Sequence, residues 1–122
     1  MPLRIKDATI TSIEDTETKK LKILKAVSKE EGVTLSLEMP EALCDPFHVK
    51  DTIEIVIDSE EIVKGDKAKL YAEGTVFKMD DSSSNLSVVA AFGGLRLVLE
   101  IASPKPAQRK IFDSQKVFLT LG

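Results

Sequence analysis

The sequence predicts an all-β domain of about eight short antiparallel strands, folded as a barrel or a sandwich, with no long helix. Three observations predict it. Apolar and polar residues alternate with a period of two along most of the chain, and that period belongs to strands rather than helices. The alternating runs are short and are bounded by charged, glycine-containing or proline-containing turns. The best specified stretch, Leu70 to Ile101, reads as a three-stranded meander closed by the hairpin Phe92-Gly93-Gly94-Leu95.

Two adjacent glycines between alternating runs fit a two-residue hairpin turn, whose central residues need positive φ. Counting outward from Gly93 and Gly94 pairs Phe92 with Leu95, Ala90 with Leu97, Val88 with Leu99 and Leu86 with Ile101. All four pairs are apolar. The other face holds Ala91 with Arg96, Val89 with Val98 and Ser87 with Glu100, and a one-residue slip would mix the two faces. Across the loop Asp80 to Ser84, the apolar face continues as Val76, Gly74, Ala72 and Leu70, with Gly74 beside Ala90. Small residues among large ones suit a curved sheet.

The remaining elements follow in order. Leu3 to Ile13 reads as a long strand, bent by a bulge near Lys6 and Asp7 where the alternation breaks. Glu14 to Lys19 makes a polar turn, and Lys20 to Val27 a strand with Leu21, Ile23 and Val27 inward. After the turn Lys29-Glu30-Glu31-Gly32, Val33, Leu35, Leu37 and Met39 alternate without a break until Pro40, which cannot donate to a ladder. Pro40 to Lys50 has no period and holds at most one helical turn. Thr52 to Asp58 resumes strand with Ile53, Ile55 and Ile57 inward, and Ser59 to Lys67, with Gly65-Asp66, leads to the meander. Ser103-Pro104-Lys105-Pro106 reads as an extended connector, and Lys116 to Leu121 as a closing strand. A barrel would also remove the sheet edges that invite aggregation.

Length and composition suit one domain over residues 1 to 122. Apolar residues at 43% can fill a core, and no run reaches the roughly 18 to 20 apolar residues of a spanning helix, so the chain is expected to be soluble and intracellular. A single cysteine makes no internal disulfide. The net charge of -3 divides unevenly: residues 1 to 61 carry 8 basic and 14 acidic groups, residues 62 to 122 carry 9 and 6. An acidic balance argues against tight phosphate binding by this domain alone.

Chemistry-bearing residues are sparse. Cys44, Asp45 and His48 have metal-ligand types, but no second Cys or His exists to complete a zinc set. Cys44 with His48 could make a nucleophile pair, although no orienting group or oxyanion site accompanies them. Asp80 to Asn85 lacks calcium-loop spacing, and Gly93-Gly94 lacks the helix and Gly-Lys-Ser/Thr of a phosphate cradle. No catalytic residue, metal or cofactor is therefore expected. Lys19, Lys20, Lys22 and Lys25 form a basic run, and Tyr71 and Phe77 share the face opposite the meander's core. Lys20, Lys22, Tyr71 and Phe77 are thus the residues a single-stranded nucleic acid would use. Tyr71, Phe77, Met79, Val89, Ala91 and Val98 make that second face apolar too, so other parts of the chain or a partner must cover it.

Three stretches carry a family resemblance: Tyr71-Ala72-Glu73-Gly74-Thr75-Val76-Phe77-Lys78-Met79; Leu86 to Leu97 with its Phe92-Gly93-Gly94-Leu95; and Phe112-Asp113-Ser114-Gln115-Lys116-Val117-Phe118-Leu119. Together they resemble RNA polymerase subunit eight, a small non-catalytic subunit of DNA-directed RNA polymerase. That family shows Gly-x-Val-Tyr/Phe, an aromatic-Gly-Gly-Leu hairpin and a closing strand after Phe-x-Asp-Ser. Ile5-Lys6-Asp7, Leu35 to Glu38 and Asp51 to Ser59 resemble it more loosely. Eukaryotic members carry a long acidic insertion where this chain has the short link from Ser59 to Leu70, which suggests an archaeal-type form.

The resemblance implies an eight-stranded barrel related to the oligonucleotide-binding fold, docked on the largest polymerase subunit away from the catalytic metal. It also implies a cytoplasmic location in an archaeon, or a nuclear one in a eukaryote. Phe92, Gly93, Gly94, Leu95 and Arg96 are the expected interface centre, a rigid turn between an aromatic and an arginine; the alternative is that they only close the hairpin. The competing function is a free-standing single-strand binder of the same fold.

Overall fold

The computed structural model describes residues 3–17, 20–62, 69–80 and 84–122. Among them are eight strands: β1 Leu3–Asp15, β2 Leu21–Ser28, β3 Val33–Pro40, β4 Thr52–Asp58, β5 Leu70–Asp80, β6 Asn85–Phe92, β7 Leu95–Ala102 and β8 Lys116–Leu121. They close as an antiparallel barrel in the order β1-β2-β3-β7-β6-β5-β8-β4. Because β1 pairs with both β2 and β4, the sheet meets itself and the barrel alternative holds over the sandwich. No helix among the described residues is long and apolar enough to cross a membrane.

Alternation fills the interior. Val33, Leu35, Leu37 and Met39 of β3, Ile53, Ile55 and Ile57 of β4, and Leu86, Val88, Ala90 and Phe92 of β6 all point inward and are buried. The β6–β7 register is the one the glycine turn requires, from Phe92 opposite Leu95 to Leu86 opposite Ile101. In β1 the pairing with β4 shifts between Ile5 and Ala8, a bulge at Lys6 and Asp7.

Each end of the barrel is plugged by a connection. At the end where β3 leads to β4, a 3-10 turn, Glu41–Leu43, precedes the buried Cys44 and Phe47. The opposite end is crossed by the chain from β7 to β8, which contains a short helix, α1 Pro106–Ile111. Ile111 and the following Phe112 are buried in the core cluster there.

Four expectations need correction. The expected connector ends one residue early: Lys105 is still extended, but Pro106 opens α1, where its missing N–H costs nothing, and the Lys105 N–H donates to Gln108 Oε1 at 2.9 Å. In β2 the inward residues are Leu24, Ala26 and Ser28, while Leu21, Ile23 and Val27 are half-buried on the outside. Register decides this, because Ala26 faces Ile10 and Leu35, and Leu24 faces Leu37. In β5 the pairing with β6 shifts between Val76 and Lys78, a bulge that reverses the alternation beyond it. Met79 therefore pairs with Val88, whose side is the inward one, but at the barrel's end its side chain stays exposed like those of Tyr71 and Phe77. Gly74, lastly, lies against Phe92, and Val76 takes the place opposite Ala90.

The chain from β4 to β5 must pass β8, which stands between those strands. Its described beginning reaches the outer face: the Ile62 N–H donates to the Tyr71 hydroxyl at 3.1 Å. Phe118 and Thr120, on the outer face of β8, are buried, and Tyr71 stands edge-on to Phe118 with ring centroids 6.3 Å apart. The outer face of β8 is thus covered by the chain itself, while Tyr71 stays partly exposed. Lys19, Gly65-Asp66 and Asp81 to Ser83 lie outside the described residues.

Candidate interaction surface

The expected interface centre divides in two. Gly93 and Gly94 have φ of 62° and 85°, as their turn demands, and a Cβ added at either would meet nothing within 4 Å. The tip is therefore open to a partner. Arg96 is also exposed; its N–H donates to Glu38 Oε1 at 2.9 Å, and its guanidinium forms no ion pair with a carboxylate among the described residues. Leu95 is half-buried. Phe92 is different: only 4% exposed, it is a core residue that anchors the turn and has almost no surface to offer. The alternation of β6, with Leu86, Val88 and Ala90 already inward, carries that signal in the sequence.

The four residues expected at a nucleic acid do not come together. Lys22 belongs to β2 and Lys20 immediately precedes it, whereas Tyr71 and Phe77 belong to β5, four strands away in either direction around the barrel. Tyr71 and Phe77 are six residues apart, roughly 20 Å along a strand. Tyr71 is occupied by Phe118 and Ile62, and Glu73, ion-paired with Lys116 at 2.6 Å, stands between the two rings. Lys22 pairs with Asp15 at 3.8 Å. A continuous basic groove beside a stacking platform is what single strands use, and these residues do not build one.

Cys44 and His48 line one open hollow with Lys22, Glu41 and Asp45. The Cys44 thiol donates to the Pro40 carbonyl at 3.6 Å, and burial pushes its pKa up, only partly opposed by the Lys22 ammonium. That favours the neutral thiol over the thiolate that nucleophilic or metal chemistry uses. His48 is exposed, with Nδ1 3.4 Å from Asp51 Oδ2. Among the described residues no three His, Cys, Asp or Glu side chains are grouped as metal ligands.

One surface feature was legible only in part. Phe77 is 60% exposed, the largest exposure of any large apolar side chain described. It occupies the β5 bulge, so that Phe77 and Lys78 both stand outward beside Val89. The sequence places Phe77 outside with Val89 and Val98, but not the bulge that sets a lysine next to it. No protein-family model matches this chain, and no curated protein matches it.

Proposed function

We propose that this chain is a non-catalytic structural subunit of a multisubunit DNA-directed RNA polymerase, held to the largest subunit by protein contact. The observation that carries the reading is the set of three resembling stretches and their place in the fold. They supply β5, the β6–β7 hairpin and β8, which are four consecutive strands of the barrel wall, β7-β6-β5-β8. The three stretches therefore lie side by side in one continuous part of the wall, which supports reading them together. The closed barrel supports the same reading, as does a hairpin tip with two open glycines and an exposed arginine. Polymerase chemistry needs carboxylates that hold metal ions beside the growing RNA, so this subunit's contribution is assembly or stability.

The test is co-purification with the large polymerase subunits from the native cell, using the full chain and Arg96→Glu. The substitution lies on the surface and should leave unfolding within about 0.5 kcal/mol of the parent. The expected result is recovery of the large subunits with the parent chain and about tenfold less with Arg96→Glu. Unchanged recovery would move the interface away from the tip. Absence of the large subunits from the parent sample would end the polymerase reading.

A further inference from the structure

On the outer wall, β6 carries small side chains and its two neighbours carry long ones. The outward residues of β6 are Ser87, Val89 and Ala91, all half-buried. On β7, Arg96 stands beside Ala91, Val98 beside Val89 and Glu100 beside Ser87. On the other side, β5 sets Phe77 and Lys78 beside Val89, with Asp80 opposite Ser87. These are three adjacent strands of the eight, so they share one side of the barrel. Arg96 and Glu100 are exposed, lie two residues to either side of Val98, and form no ion pair among the described residues. Glu38 of β3 bonds the Arg96 backbone N–H without an ion pair to the guanidinium.

We infer that this three-strand patch docks a second copy of this chain, β6 against β6, about a two-fold axis that runs across the strands at Val89. Charge complementarity selects both the occupant and the axis. The axis reverses the strand direction of the second copy, so Arg96 meets the partner's Glu100 and Glu100 meets the partner's Arg96. One patch thus supplies both halves of each ion pair, which is what an isologous contact requires. An axis along the strands would set Glu100 against the partner's Asp80, and like charges disfavour it. Shape favours the same arrangement. The wall is convex, so two copies touch along one strand, and the small side chains of β6 permit close approach there. Arg96, Glu100 and Phe77 are long enough to span the gap that opens on either side. Phe77, the most exposed large apolar side chain described, then meets the partner's Phe77. Lys78 also comes to the axis, where Asp80 of each copy, two residues along β5, supplies the countercharge for the two ammonium groups.

The inference does not rest on the polymerase assignment. Both use Arg96, so docking on a large subunit through the hairpin tip requires the two copies to separate. A contact three strands wide is at the small end of specific interfaces, and the association is accordingly weak. The test is sedimentation equilibrium of the purified full-length chain over a concentration series, and the expected result is a reversible monomer–dimer equilibrium. Arg96→Glu and Glu100→Arg should each raise the dimer dissociation constant about tenfold. Together in one chain they rebuild both pairs with the signs exchanged, and the constant should return to within about threefold of the parent. Arg96→Glu combined with Glu14→Arg makes the same net charge change on β1, four strands from β6 in either direction, and should not restore the dimer. Circular dichroism and thermal unfolding of each variant establish that the barrel is intact. A monomer at every concentration would overturn the inference, as would a dimer indifferent to the single reversals or a double reversal no better than either single one. All of these outcomes are read without polymerase, so a failure here leaves the co-purification result untouched, and a failed co-purification leaves the dimer untouched.

Discussion

Gly74 has the least room for a side chain among the described glycines of the barrel. A Cβ there would lie 2.5 Å from Phe92 Cδ2 and 2.6 Å from the Ala91 carbonyl oxygen, so either the ring or the neighbouring strand must move. Gly74→Ala should cost about 1 to 3 kcal/mol in urea unfolding. Combined with Phe92→Leu, which shortens the obstructing side chain, it should cost less than the sum of the two single changes. Additive costs would mean that the ring is not the obstacle. The glycine's presence on the core face was legible from alternation alone; its contact with Phe92 was not, since the pairing depends on the bulge three residues further along. Cys44 gives a second prediction at this scale. Burial raises its thiol pKa, so folding favours the protonated form. That contribution is intact below the unfolded value near 9.0 and declines as the pH rises through the interval up to the folded value. Alkylation of Cys44 in the native protein should accordingly be much slower than in urea at neutral pH, with the gap narrowing as alkali loosens the fold. Equal rates in both states would contradict its burial.

At the scale of the element, the legible parts were those where a single local rule decides. The glycine pair decides the β6–β7 register, and alternation decides β3 and, despite the extra apolar Val56, β4. The parts that were not legible each depend on a distant partner. β2 carries apolar residues on both faces, and only its pairing with β1 and β3 selects Leu24 and Ala26 as the inner set. The β5 bulge exists only relative to β6, so parity counted along one strand misplaces Met79. The connector after Pro104 has the prolines of an extended segment, yet burying Ile111 and Phe112 over the barrel's end favours a helical turn instead. This plug makes a test. Phe112→Ala should destabilise by about 3 to 5 kcal/mol, whereas Lys110→Ala, on the exposed side of the same segment, should stay within about 0.5 kcal/mol. Similar small effects for both would show that the end of the barrel does not depend on the plug.

Considered as a whole molecule, the barrel spends its apolar surface in two places, inside the wall and on part of the outside. On the outer face of β8, Phe118 and Thr120 are buried, with Tyr71 edge-on to Phe118 and hydrogen-bonded by Ile62. The Phe77, Val89 and Val98 area has no such cover among the described residues. Together with the open hairpin tip and the dispersed lysines, this is compatible with the function proposed above, in which the chain works through protein contacts. The most direct test of that claim is a pull-down with the tagged chain from its native cell extract, nuclease-treated and washed at high salt, with partners identified and counted by mass. The account predicts the large subunits of RNA polymerase in fixed proportion to this chain, retained after nuclease treatment. Recovery of nucleic acid or unrelated proteins with no polymerase subunit would contradict it.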